Sequence, residues 1–109
     1  MTFDEYDAQA AETAVYPNVG RNHVYPTLGL AGEAGEVAGK VSKIERDLKG
    51  VLNDEVRAAI KMELGDVLWF LSRTAIEFGT TLDEVANANI EKLRSRKERK
   101  QLHGNGDYR

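Results

Sequence analysis

The chain has 109 residues, of which 41% are hydrophobic and 30% charged, and its formal net charge is -3. This length and balance indicate one folded domain, residues 1–109, near the lower size limit for a sufficient core. The absence of cysteine excludes a disulfide framework, a thiolate zinc site and a cysteine nucleophile. No segment resembles a signal peptide or a membrane span, so we expect a cytoplasmic protein without membrane contact.

A first helix is predicted from the cap residue Thr2 to about Val15, because apolar residues recur across it at helical spacing. Residues 16–26 then hold both prolines of the chain, together with glycine and asparagine, which is a loop composition. This loop is long enough to border a site. His23 within it could contact phosphate or base, although a lone loop histidine is more often solvated.

Two long helices are predicted over residues 27–47 and 54–78, each with an apolar stripe at helical spacing. The break between them, residues 48–53, is short, and helices joined by so few residues normally pack antiparallel. Internal glycines weaken both helices, which predicts that a neighbour packs closely against them. These glycines are Gly35, Gly39 and Gly65.

Each long helix carries two carboxylates at a spacing of i and i+3, namely Glu33 with Glu36 and Glu63 with Asp66. Both pairs fall on the same flank of their apolar stripes, so neighbouring helices would bring the acids together. Crowded carboxylates repel one another and lose hydration unless a cation lies among them, and hard oxygen donors select magnesium, manganese or calcium. Two ordinary solvated helix faces would show the same spacing, so both alternatives stay open.

Gly79 is placed to end the third helix, and Thr81 with Glu84 forms a capping box that opens a fourth. The chain therefore contains four predicted helices and no strand pattern. We predict an all-α fold, a four-helix, bundle-forming subunit with antiparallel central helices. Because so short a chain buries a small core, association with a second copy would help it.

Polar and basic residues on one face of the predicted fourth helix indicate an anion-binding surface. Asn89 lies within its apolar stripe and is expected to face inward, and Lys92 and Arg96 continue along the same line. Lys40 on the second helix could pair with the acids or contact a phosphate chain. The basic run 92–100 also suits the end of a helix, and the chain as a whole is acidic, so no nucleic-acid polymer is expected as a partner.

Several aromatic residues could contribute to a base pocket. Trp69 lies off the apolar stripe, so it is exposed, in a subunit interface or available to stack on a base, and we favour the interface. Tyr6, Tyr16 and Tyr25 could line a base pocket, or they could pack in the core or the loop.

With these motifs in view, the sequence resembles the MazG-like nucleoside triphosphate pyrophosphohydrolases of the all-α superfamily. That family carries E-x-x-E followed later by E-x-x-D, and here Gly-Leu-Ala-Gly-Glu-Ala-Gly-Glu-Val and Glu-Leu-Gly-Asp-Val-Leu-Trp-Phe-Leu reproduce both halves. The resemblance continues through Asn-Ile-Glu-Lys-Leu-Arg-Ser-Arg to the Gly-Asp-Tyr-Arg ending. It implies Mg²⁺-dependent cleavage of a nucleoside triphosphate to the monophosphate and pyrophosphate, with Mn²⁺ as a possible substitute. It also implies homodimers or homotetramers whose sites use more than one chain.

The resemblance also assigns roles to residues. Metal-ligand and catalytic roles carry over to Glu33, Glu36, Glu63 and Asp66. Substrate contacts carry over to Asn89, Lys92, Lys40, Arg96 and Arg109. Which acid serves as general base stays open, as does a narrower activity on dUTP or dCTP. A non-catalytic helical module that binds nucleotide or a protein partner is the alternative from another class.

Overall fold

The computed structural model describes residues 1–100, which form four α-helices and contain no strand. The helices are α1 (Phe3–Ala11), α2 (Val24–Leu48), α3 (Asp54–Glu77) and α4 (Leu82–Glu98). The predicted all-α class and the number of helices are confirmed over these residues. Within the same part of the chain, no helix is both long and apolar enough to cross a membrane.

Helices α2 and α3 form an antiparallel hairpin, as predicted, and their contact is the most extensive in the fold. The turn between them reverses the chain through Lys49 and Gly50, whose φ angles are +54° and +78°. Asn53 then caps α3, because its side-chain oxygen accepts the N–H of Val56 at 2.8 Å. This sharp turn sets α2 directly against α3.

The first two helices differ from prediction at their ends. Helix α2 begins three residues earlier than expected, because Pro26 lies in its first turn, where the missing N–H costs no hydrogen bond. Helix α1 is shorter than expected, since the chain turns where the Thr13 hydroxyl donates to the Ala10 carbonyl. Its start is held by a full capping box between Thr2 and Glu5. The loop therefore spans residues 12–23.

The predicted boundary between α3 and α4 is confirmed. Gly79, with φ +78°, follows the end of α3, and Thr81 accepts the N–H of Glu84 at 3.1 Å as the N-cap of α4. In a full capping box the Glu84 carboxylate would accept the backbone N–H of Thr81. Here it accepts the hydroxyl of Thr80 instead, at 2.8 Å. Both threonines thus hold the same glutamate at the start of α4.

A buried polar cluster joins α1, α3 and α4. Asp7 accepts the Ser72 hydroxyl at 2.5 Å with one carboxylate oxygen and the Leu82 N–H at 3.1 Å with the other. Arg73 donates to the Asp7 carbonyl at 2.8 Å. Asp7 and Arg73 are buried, and Ser72 is fully inaccessible to solvent. The cluster fastens α1 and the start of α4 to the C-terminal half of α3.

The other half of the hairpin has no such cover among the described residues, because α1 and α4 pack on α3 and on each other. A groove there runs between α2 and α3 and is lined by apolar residues that include Ile44, Val56 and Ile60. Large apolar side chains stay exposed along this half of the hairpin. They are Val41, Leu48, Val51, Leu52, Met62 and Leu64.

Candidate metal centre

Three of the four predicted carboxylates meet at the seam between α2 and α3. Carboxylate oxygens of Glu33, Glu63 and Asp66 all lie within 4.8 Å of one another. Glu33 and Glu63 are half-buried, whereas Asp66 is exposed. Glu36 is exposed and lies outside this group, although its charge still acts on Glu33. We call Glu33, Glu63 and Asp66 the acid cluster.

The helices approach closely one turn away from the acid cluster. The ring of Phe70 occupies the space that a Cβ atom would fill at Gly29, so only glycine admits it there. Gly29 precedes Glu33 by one turn, and Phe70 follows Asp66 by one turn. This contact therefore sets the separation of the helices next to the cluster.

The glycines that were expected to admit a close neighbour do not do so within the described chain. A Cβ atom at Gly35, Gly39 or Gly65 would meet nothing within 4 Å. That expectation was wrong for the single subunit. The reason is that these glycines face away from the seam, and the close approach falls on Gly29 instead.

The acid cluster is electrostatically strained. Partial desolvation raises the pKa of Glu33, and the charges of Asp66, Glu63 and Glu36 raise it further. Lys40 relieves part of this repulsion, because its Nζ atom lies 3.5 Å from a Glu63 oxygen. Lys40 was expected either to pair with the acids or to contact a phosphate chain, and the structure shows the ion pair. Three hard oxygen donors close together, with no sulfur or nitrogen ligand among them, suit a hard divalent cation such as Mg²⁺, Mn²⁺ or Ca²⁺.

An aromatic cluster lies beside the acid cluster. Tyr16 and Tyr25 stack with ring centroids 4.9 Å apart, and Tyr25 lies 6.2 Å from Phe70. Trp69 meets Phe70 edge to face at 4.9 Å, and its indole N–H donates to the Thr13 hydroxyl at 2.8 Å. These contacts give Trp69 partners within its own chain. The two tyrosines and Phe70 form an ordered aromatic wall along the seam.

Two further ring residues flank the seam. Partial burial raises the pKa of Tyr6, and the Asp66 charge adds to the rise while Arg73 opposes it, so Tyr6 lies within electrostatic reach of the acid cluster. His23 is exposed at the start of α2, and its ring centroid lies 5.3 Å from that of Phe78. His23 is therefore solvated, as the sequence favoured.

The predicted substrate-binding residues of α4 do not share one environment. Asn89 is exposed, Lys92 is half-buried and Arg96 is buried. The expectation that Asn89 faces inward was wrong for the single subunit, because the face of α4 that carries it is not covered by another described helix. Arg109 lies outside the described residues.

Sequence reasoning missed Glu77, which organises the loop before α2. Its carboxylate accepts three hydrogen bonds, from the Tyr16 hydroxyl at 2.6 Å, the Gly20 N–H at 2.7 Å and the Asn22 N–H at 3.1 Å. A signal for it was present, because Glu77 follows Phe70 by two turns and continues the line of the acid cluster along α3. Apart from this position, nothing in the sequence distinguishes an acid that accepts hydrogen bonds at a helix end from one that is only solvated.

These hydrogen bonds predict a pH-dependent stability. They lower the pKa of Glu77, chiefly through the Tyr16 hydroxyl, against a smaller opposing effect of burial. A carboxylate whose pKa is lower in the folded state than in the unfolded state stabilises the fold when it is ionised. This stabilisation is fully present above the unfolded-state pKa of about 4.3, and it is lost as the pH falls through the folded-state pKa. The free energy of unfolding of Glu77→Gln should therefore fall below that of wild type at pH 7 and approach it at pH 3.

Urea titrations at the two pH values measure this difference, and Glu91→Gln on the exposed face of α4 is the matched control. If the free energy of unfolding of Glu77→Gln differed from that of wild type by the same amount at both pH values, Glu77 would not act through its ionised form.

The fold and the acid cluster together define an all-α protein with a group of hard oxygen donors, the ligand type that divalent cations prefer. Residues 22–100 match the family model of the MazG nucleotide pyrophosphohydrolase domain, and the chain belongs to this family. It is 43% identical, over an alignment of 114 positions that covers the whole of both chains, to the Gene 37 protein of Mycobacterium phage L5. No solved structure matches the chain. The family resemblance inferred from the two acidic motifs is confirmed.

Proposed function

We propose that the protein hydrolyses nucleoside or deoxynucleoside triphosphates to the monophosphate and pyrophosphate, with Mg²⁺ as cofactor. The observation that carries this proposal is the acid cluster, which α2 and α3 assemble from the two motifs of the family. Membership of the family supports nucleotide pyrophosphohydrolase activity, and the cluster supports the use of a divalent ion.

Glu33, Glu63 and Asp66 would hold the ion, and Glu36, the fourth acid of the motifs, lies one turn from Glu33. The residues fit the ion because they offer oxygen donors, and because partial desolvation and then the neighbouring carboxylate charges raise the pKa of Glu33. A bound divalent ion neutralises phosphate charge and lowers the pKa of water. Mn²⁺ meets the same requirements and is the expected substitute.

The remaining polar groups would bind phosphate and move the proton. Glu36 or Glu33 would accept the proton of the attacking water, as a carboxylate at the edge of the cluster. Lys40, already beside Glu63, would turn its ammonium group toward a phosphate oxygen when substrate enters. The residues proposed to hold the leaving pyrophosphate by charge-assisted hydrogen bonds are Asn89, Lys92, Arg96 and Arg109.

Product analysis tests the proposal directly. The protein is incubated with each common ribonucleoside and deoxynucleoside triphosphate in Mg²⁺, and the products are separated by ion exchange. Monophosphate with equimolar pyrophosphate is the expected result. Turnover confined to dUTP or dCTP would narrow the activity to a diphosphatase of that specificity. Unchanged substrate in every incubation would overturn the proposal and favour a non-catalytic binding module.

The metal assignment predicts a change in stability that needs no turnover. A ligand that binds only the folded state, at one hundred times its Kd, stabilises a protein by about 2.7 kcal/mol, which is several degrees in Tm for a domain of this size. Mg²⁺ should therefore raise the Tm of wild type, and Asp66→Asn should abolish the rise. Glu55→Gln, at an exposed position of the same helix, should retain it. An equal rise in Asp66→Asn would place the ion elsewhere.

We also propose that the protein forms a homodimer or homotetramer. The uncovered half of the α2–α3 hairpin exposes several large apolar side chains, and clustered exposed apolar residues mark association surfaces. A second copy would cover them and enlarge a small core. Light scattering coupled to size exclusion should give a mass of two or four chains, and a monomer at micromolar concentration would contradict this assembly.

A further inference from the structure

The loop segment of residues 16–22 is folded around the carboxylate of Glu77. Tyr16 and Gly20 both donate to one oxygen of this carboxylate, and the backbone of Asn22 donates to the other. The three donors come from one short segment, whereas the acceptor lies at the end of α3. Glu77 therefore determines how this segment is placed against α3.

The same segment positions Tyr25 through two contacts. The ring of Tyr16 is buried and stacks on Tyr25 at 4.9 Å with an interplanar angle of 10°. The side-chain oxygen of Asn22 accepts the backbone N–H of Tyr25 at 3.1 Å. Tyr16 thus supports one face of Tyr25, while 46% of Tyr25 stays exposed. Glu77 holds both supporting residues and, within residues 1–100, forms no hydrogen bond to the Tyr25 ring or to the acid cluster.

Tyr25 lies two helical turns before Glu33 on α2, at the same seam as the acid cluster. Tyr25 contacts Phe70, whose ring packs on Gly29. One helical turn separates Gly29 from Glu33, and one turn separates Phe70 from Asp66. A turn is about 5.4 Å along a helix axis, so the backbone at Gly29 and Phe70 lies about that far from the backbone at Glu33 and Asp66, and Tyr25 lies one further turn away.

We propose that Glu77 is a positioning residue for base recognition: it fixes Tyr16 and Asn22 so that the exposed Tyr25 ring offers a stacking face to the nucleobase. This inference rests on the proposed function, since it requires the triphosphate to lie at the acid cluster. A flat ring that is held rigidly loses little conformational freedom when a base stacks on it. Stacking of this kind tolerates every base, because each base has a π-face.

The test compares Glu77→Ala, Tyr16→Phe and Tyr25→Leu with wild type, and Glu91→Ala is the matched control on α4. Each protein is assayed for KM and kcat, and for binding of the α,β-imido analogues of dUTP and dATP by calorimetry in Mg²⁺. Inorganic tripolyphosphate, which has no base, is the second probe. The Tyr16→Phe variant keeps the stacked ring and removes only its hydrogen bond to Glu77.

Loss of the stacking face in Tyr25→Leu should raise KM and the Kd of both analogues about tenfold. Misplacement of that face in Glu77→Ala and Tyr16→Phe should raise them about fivefold. In all three variants kcat should stay within about twofold of wild type and tripolyphosphate should bind unchanged, because the phosphate-binding groups are intact. A merely structural role would reduce the folded fraction, which lowers the apparent kcat and leaves KM unchanged.

The outcomes separate the two proposals. Wild type that neither binds nor cleaves the nucleotides would overturn the proposed function. If wild type binds and cleaves the nucleotides, and Glu77→Ala or Tyr16→Phe binds the analogues with the same Kd as wild type, only the role of Glu77 is overturned. Equal weakening of analogue and tripolyphosphate would likewise overturn it, because the lost contact would then be to phosphate. If Glu77→Ala does not fold, Tyr16→Phe and Tyr25→Leu decide the question.

Discussion

Replacing Glu63 by glutamine is expected to abolish turnover while the four helices remain folded. Glu63 faces Glu33 across the seam, lies beside Asp66 on the same helix and also pairs with Lys40, so it lies at the centre of the charge arrangement. Glutamine keeps the shape of the side chain but removes its negative charge, and a neutral amide is a poor ligand for a hard divalent ion. A loss of about 4 kcal/mol of transition-state stabilisation corresponds to about a thousandfold in kcat/KM.

The decisive measurement is kcat/KM in saturating Mg²⁺, with circular dichroism at 222 nm to confirm the helical content. Glu55→Gln makes the same chemical change at an exposed position in the first turn of α3 and should retain turnover within about twofold. The variant Glu63→Gln also removes a repulsive charge from the cluster, so its thermal stability without metal should equal or exceed that of wild type. Mg²⁺-dependent turnover of Glu63→Gln within tenfold of wild type would refute the metal role of this residue.

The acid cluster could be predicted from the sequence because helical periodicity fixes the face on which a side chain lies. Two acidic pairs with the same phase, on helices joined by a short turn, predicted that four acids converge, and three of them, Glu33, Glu63 and Asp66, do so. Periodicity does not fix how closely the helices approach. That distance depends on the ring of Phe70 against Gly29, a contact between residues far apart in sequence.

Other errors share a different cause, which is that sequence reasoning assigned burial without knowing the neighbours. Asn89 was expected to face inward because Ile90 and Leu93 lie beside it, yet both of these apolar residues stay exposed on α4 of the single subunit. Glu77 and Asp7 were passed over for the opposite reason. Acids in helices are usually solvated, and only tertiary contacts reveal that these two accept hydrogen bonds from other elements.

Replacing Asp7 by alanine should destabilise the fold by about 3 kcal/mol, a large share of the stability of a small domain. The change leaves two donors without an acceptor, namely the Ser72 hydroxyl and the N–H of Leu82 in the first turn of α4. Water has little access to replace it, since Ser72 is 0% and Leu82 3% exposed. Each buried donor left unsatisfied costs about 1–3 kcal/mol.

Urea unfolding at pH 7 measures the effect, and Asp4→Ala, at an exposed position in the first turn of α1, should cost less than about 1 kcal/mol. Asp7→Asn should fall between the two, because an amide oxygen still accepts one of the hydrogen bonds. A cost below about 0.5 kcal/mol for Asp7→Ala would mean that water or a rearranged side chain satisfies both donors.

The Asp7 result would also define what α1 contributes. The family match begins at residue 22, after α1 has ended, and the acid cluster lies entirely on α2 and α3. Asp7 nevertheless links Ser72 on α3 to the first turn of α4. We therefore expect Asp7→Ala to lower the free energy of unfolding while the folded fraction keeps its Mg²⁺-induced stabilisation. Loss of both the stability and the Mg²⁺ effect would instead mean that α1 holds the carboxylates of the cluster in place.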